Sequence, residues 1–132
     1  MPRSTFQPRD RELIEAPNFC HVAVLAEDGT IQTVIVWSDL DDDQVVLNSA
    51  EGRSWPANLR RSGHATLTVV NRDDPEEFVT VVARLVDDTH DGADDVINAL
   101  SHKYDGRDYE FTPGQQRVTF RLAPERVVRY GG

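Results

Sequence analysis

The chain has 132 residues, 39% of them hydrophobic and 28% charged, a balance that fits one folded core and excludes a disordered chain. Its 23 acidic residues outnumber 14 Lys and Arg for a net charge of -9, which argues against a nucleic-acid surface, because neutralising a phosphate backbone takes a basic face. No apolar stretch approaches the roughly 20 residues of a membrane crossing, and the amino-terminal segment lacks the apolar run of a signal peptide. The lone Cys20 excludes an internal disulfide and a cysteine-based zinc site, so the cytoplasm is the expected location.

In chain order, residues 1 to about 8 read as a loose tail, after which "RDRELIEA" carries Leu13 and Ile14 in a short helix that stops before Pro17. "FCHVAVLA" reads as a strand, "EDGT" as a tight turn on its Asp-Gly dipeptide, and the β-branched "IQTVIVW" as the returning strand of a hairpin. "SDLDDDQ" reads as a second, acidic turn that leads into the short strand "VVLNS". In "GRSWPANLRR", Ser54 is the expected N-cap of a short helix with Pro56 in its first turn, packing through Trp55 and Leu59. "ATLTVV" and "FVTVVARLV" form a second hairpin through "NRDDPEE". Val96, Ile97, Leu100 and Tyr104 recur at helical spacing behind Asp94 and Asp95. "RVTFRLA" and "RVVRY" read as two short strands separated by Pro124. Strands in successive hairpins with one longer helix late in the chain predict a small antiparallel barrel in a single domain over 1–132, mainly β with a few helices.

Catalytic constellations are scarce. Cys20 and His21 are neighbours on a strand and point to opposite faces, so they do not make a nucleophile and base. His21, His64, His90 and His102 lack the spacing of metal ligands, and no metal site is expected. The acidic turns lack the alternating oxygen ligands of a calcium loop. One stretch stands apart. After Glu51 no carboxylate occurs until Asp73, while Arg53, Arg60, Arg61 and Arg72 all fall in or beside this gap. A strand followed by Ser49, Gly52, Arg53 and Ser54 at a helix start brings hydroxyls, backbone N–H groups and a guanidinium together, a donor set that suits an anion. The alternative is that these arginines are surface charges paired with acids elsewhere in the fold.

The order "DGTIQTVIVWSDLDDDQVVLNSAEGR", "NLRRSGHATLTVVNRDDP", "LSHKYDGRDY" and "PERV" resembles the split β-barrel flavin and deazaflavin oxidoreductases related to pyridoxamine 5'-phosphate oxidase. The similarity is greatest to the actinobacterial branch that uses coenzyme F420, and it spans residues 18–128. The resemblance implies an FMN-binding type of split barrel, a homodimer, and a cofactor in a groove at the subunit interface. It places Asn48, Ser49, Arg53 and Ser54 on the phosphate, and Gln32, Val34 and Val36 along the ring system. Trp37 would border the pocket, and Asn58 would brace the short helix. The implied activity is hydride transfer from the deazaflavin to an unsaturated or quinone-like small molecule, with Tyr109, Tyr104 or solvent as proton donor and no catalytic residue assigned. FMN in place of the deazaflavin, or a carrier without catalysis, are the alternatives. One departure stands out: relatives place further basic residues after the position of Arg53, where this chain has Ser54, Trp55, Pro56 and Ala57. Trp55 either stacks on a ring or belongs to a dimer core.

Overall fold

Short local signals set the first half of the architecture. In the computed structural model, which describes residues 3–132, the Asp-Gly turn reverses the chain between β1 (Cys20–Leu25) and β2 (Ile31–Val36). Gly29 takes φ +88°, a left-handed conformation that favours glycine, and the Asp28 carboxylate accepts from the Thr30 N–H at 3.0 Å. β3 (Ser38–Asp41) and β4 (Gln44–Ala50) follow, then β5 (His64–Val70), β6 (Phe78–Thr89) and β7 (Arg117–Tyr130). The helices are α1 (Pro8–Glu15), α2 (Ser54–Ser62) and α3 (Ala93–Asp105).

Among the described residues the strands form one seven-stranded sheet in the order β2-β1-β5-β6-β7-β4-β3, every neighbouring pair antiparallel. Its two edge strands, β2 and β3, are joined through Trp37 alone, so the sheet has to curl until its edges meet at that corner. The inward residues fill the barrel: Val22 and Val24, Val45 and Leu47, Leu67 and Val69, Val79 and Val81, Phe120 and Leu122. Leu13 and Ile14 of α1 and Trp55 and Leu59 of α2 complete the same core. Helix α3 lies apart from it. Its Ala93, Ile97 and Leu100 are buried outside that cluster, over the outer face of β4 and β7. This second cover is why β4 is buried on both faces.

The expected barrel, hairpins and helices are present, with four differences. The segment after Gln7 is helical as expected, but residues 3–7 are not loose. Arg3 exchanges both backbone hydrogen bonds with Val127, and its guanidinium donates to buried Asp10 at 2.6 Å. The tail expectation for residues 1 and 2 lies outside the described residues. The acidic turn shrinks to Asp42 and Asp43. Asp42 takes φ 56°, which a short polar side chain tolerates, and Ser38–Asp41 pairs with β4 as an edge strand. The two final strands are one, because the chain absorbs Pro124 with a bulge: Ala83 faces Pro124, Val82 faces Arg126, and Glu125 is the extra residue. β4 pairs with β7 only as far as Leu122, so Pro124 sits where the strand has a single neighbour. Ser54 begins α2, with Arg53 at the N-cap position and no side-chain cap. Among the described residues no helix is long and apolar enough to cross a membrane.

Phe120 is fully buried against Trp55, ring centroids 5.6 Å apart. Phe120→Ala is expected to destabilise the fold by about 3–5 kcal/mol, read as a lower urea midpoint at unchanged slope.

Candidate ligand pocket

Where the sheet closes, the outer faces of β4 and β7, the end of β2, α3 and the loop after α3 leave a pocket of about 270 Å³. One part of its wall is apolar and aromatic: Phe19, Ile35, Val36, Trp37, Ile97, Leu100 and the Tyr109 ring. The other part is cationic, made by Arg53 and Arg117 beside Asn48. An aromatic row frames the first part. Trp37 stacks on Tyr104 at 5.4 Å, and Tyr109 stands edge-on to Trp37 at 6.5 Å.

The row is held from below by α3. The Tyr104 hydroxyl donates to the Asn18 carbonyl at 2.6 Å and accepts from the Ser38 N–H at 3.1 Å. Lys103 reaches the Ile14 carbonyl at 2.8 Å and the Ser38 carbonyl at 2.5 Å. Burial lowers the Lys103 pKa against the pull of Asp39, and raises that of Tyr104. Both side chains fasten α3 to the barrel corner, and the Tyr104 hydroxyl is spent on that contact.

The basic stretch near α2 divides on folding. Arg60 is neutralised: its Nη1 donates to Glu51 at 2.7 Å and its Nε to Asp88 at 2.5 Å. Arg61 donates to the Leu25 carbonyl at 2.6 Å and to Asn58 at 3.0 Å. Among the described residues the Arg72 side chain reaches only the Pro17 carbonyl, at 3.5 Å. Arg53 is exposed and has no carboxylate partner among the described residues. The second cation of the pocket is one that sequence reasoning missed. Arg117 is 5% exposed, donates through Nε to Asn48 Oδ1 at 3.0 Å, and has no ion pair among the described residues. Its guanidinium lies over the Tyr109 ring at 5.2 Å. Burial depresses its pKa, and Arg53 pushes the same way. A buried arginine on a strand carries no sequence signal of its own, least of all on a strand that also holds Arg121, Arg126 and Arg129.

Of the residues that the resemblance implies for the cofactor, Val36, Trp37, Asn48 and Arg53 come together on this pocket, as does Tyr109, a candidate proton donor. The others do not border it. Ser49 lies on the opposite face of β4 from Asn48, fully buried, with an Oγ that has no hydrogen-bond partner among the described residues. Val34 packs on the barrel core. Gln32 forms a chain on the rim, donating to Ser54 Oγ at 2.8 Å and accepting from Asn58 at 2.7 Å, which ties β2 to α2. Asn58 thus connects α2 to β2 through Gln32. Trp55 belongs to the barrel core instead of facing a ring or a partner. Cys20 is a buried hydrophobe whose thiol is pushed up to about 12.

No protein-family model matches the chain, and no curated protein matches it in sequence. Solved structures do. An F420 reductase is 21% identical with a TM-score of 0.83, over 93% of this chain and 98% of that one. A conserved hypothetical protein from Mycobacterium tuberculosis is 16% identical with a TM-score of 0.72, over 96% and 86% of the two chains. A putative pyridoxamine 5'-phosphate oxidase from Lactobacillus delbrueckii is 16% identical with a TM-score of 0.68, over 96% and 95%. The chain shares their fold, an antiparallel split β-barrel like that of pyridoxamine 5'-phosphate oxidase, as the motif resemblance implies.

Glu51 is held down to about 2, first by Arg60 and then by His90, which approaches it at 2.6 Å. Folding favours the ionised form, so the contribution is present above the ordinary value of 4.5 and is lost as pH falls toward about 2. Glu51→Gln should lower the urea midpoint at pH 6 and match the parent near pH 2, a small effect because these side chains are part-exposed.

Proposed function

We propose that the protein is a deazaflavin (coenzyme F420)-dependent oxidoreductase that passes hydride to an unsaturated or quinone-like small molecule. The observation that carries this reading is the pairing of two cations lacking carboxylates with an apolar, aromatic wall in one pocket. A phosphate-bearing flat ring system fits that division of chemistry. The likeness in fold to an F420 reductase supports the choice of cofactor. When bound, the deazaflavin supplies the hydride.

The chain's own residues do the remaining work. Arg53, from the turn after β4, is assigned to the phosphate. Asn48 acts through Arg117, since its amide is engaged on the Ala93 carbonyl at 3.0 Å and Thr119 at 3.1 Å while its oxygen takes the Arg117 Nε–H. Ile35, Val36 and Trp37 present an apolar surface to the ring and keep water from the reacting face. The Tyr109 hydroxyl is the only uncharged O–H group on the pocket wall among the described residues, and the proposal gives it the role of proton donor, since Tyr104 is committed to the barrel corner. A second reading, FMN in the same place, rests on the same donor set, which does not read the ring; the pyridoxamine 5'-phosphate oxidase-like neighbours favour it. The pocket wall holds no acid–base group beyond Tyr109 and the two arginines, and this gives a non-catalytic carrier its place as the outcome if turnover is absent.

The proposal includes a homodimer. The outer face of β1 and β2 exposes Leu25, Ile31 and Ile35, and Ile35 also borders the pocket, so a second copy on this face would roof the site. Light scattering at micromolar concentration should give twice the chain mass, and Ile31→Glu with Ile35→Glu should give the monomer. In a fluorescence titration with the deazaflavin and FMN, Arg53→Ala should weaken binding roughly ten- to a hundredfold. Arg61→Ala should change it about twofold or less, because Arg61 bonds the Leu25 carbonyl and Asn58. Equal losses in the two variants would remove Arg53 from the phosphate.

A further inference from the structure

Arg117 comes from a strand that the motif resemblance leaves without a role. It opens β7 opposite Ala50, and its hydrogen-bond partners are all neutral: Asn48 Oδ1 at 3.0 Å, Gln115 Oε1 at 3.2 Å and the Tyr109 hydroxyl at 3.3 Å. These bonds use Nε and Nη1, and Nη2 has no hydrogen bond among the described residues. The Asn48 amide is fixed on its other side by Ala93 and Thr119, so the oxygen that orients Arg117 is itself held in place. A guanidinium removed from water without a counter-charge is unfavourable until an anion joins it. Asp94 acts on it only at longer range, outside ion-pair distance, while Arg53 adds a like charge at the same pocket. By contrast, the polar groups at the start of α2 already have partners: Ser54 bonds Gln32, and Asn58 bonds Gln32 and Arg61.

We infer that the ligand's phosphate oxyanion is held between Arg53 and Arg117, with Asn48 and Gln115 orienting Arg117, so that β7 supplies the second cation that the Ser54-Trp55-Pro56-Ala57 stretch lacks. The ligand class is a phosphate ester joined to a flat apolar body. The assignment of the anion to a cofactor rests on the reading proposed above; the pair of cations does not depend on which ring is attached.

The test titrates the parent chain, Arg117→Ala and Arg117→Lys with two matched pairs, FMN against riboflavin and the deazaflavin against its phosphate-free core. Inorganic phosphate, followed by the thermal midpoint, is the probe that needs no ring. The parent should prefer a phosphorylated member, Arg117→Ala should lose roughly tenfold or more of that preference, and the phosphate-free affinity should stay within about twofold. Phosphate should raise the midpoint of the parent and not that of Arg117→Ala. Equal losses for both members of a pair would make Arg117 a packing residue and overturn the inference. So would a phosphate preference that survives Arg117→Ala, which leaves the cofactor reading intact. If no ring binds the parent but phosphate still protects it through Arg117, the cofactor reading falls and the anion site stands. No binding of any ring and no phosphate effect in the parent overturns both. Should Arg117→Ala not fold, Arg117→Lys carries the test, since it keeps the charge and loses the planar fork; an unchanged phosphate preference in it overturns the inference.

Discussion

The sheet closes at one residue, and much else depends on how that corner is held. β2 passes into β3 through Trp37, so the two free edges of a seven-stranded sheet meet there. A twisted sheet with both edges exposed is prone to pair with other chains. Here the corner is fastened from outside by α3, whose Tyr104 and Lys103 reach backbone groups of Asn18, Ile14 and Ser38. Those backbone groups belong to two segments distant in sequence, the end of α1 with the residues just after it and the start of β3. The same helix roofs the outer face of β4 and so creates the pocket, which makes closure of the barrel and construction of the site one packing event.

Charge is distributed on a similar plan. An acidic chain has carboxylates available for its arginines, and six of the thirteen meet one among the described residues: Arg9 meets Glu77, Arg11 meets Asp43, Arg60 meets Glu51 and Asp88, Arg121 meets Asp41, and Arg3 and Arg129 share Asp10. Among those without one, Arg53 and Arg117 stand out because they share a pocket and Arg117 is buried. Two cations left without carboxylates at one pocket raise the energy of the ligand-free state and lower that of an anion-bound one. On the proposed reading, an anion bound between them offsets the cost of burying Arg117 without a counter-charge.

The barrel was legible in the sequence because its signals are local. The Asp-Gly turn, the β-branched runs and the helical spacing of Ile97, Leu100 and Tyr104 each act within a few residues. Errors arose where a distant neighbour decides the outcome. Ser38–Asp41 looked like a turn because its acids hide an edge strand that exists only by pairing with β4. Pro124 looked like a break because the termination of β4 beside it is a tertiary fact. Half of the site was equally readable: Trp37, Asn48 and Arg53 sit close together in sequence and share the pocket. Tyr109, one of the proton-donor candidates, and Arg117, which the sequence does not single out, reach it from the far end of the chain, and Ser49 misses it because strand alternation sends it to the other face.

Cys20 sits at the centre of this arrangement on β1, sealed behind β2 and β5. With its thiol so reluctant to ionise, it offers no thiolate to oxidants or to a second chain. Any association between copies of this chain must then be held by surface contacts alone, and so be reversible and set by concentration. A disulfide through Cys20 would first require the barrel to open between β1 and its neighbours.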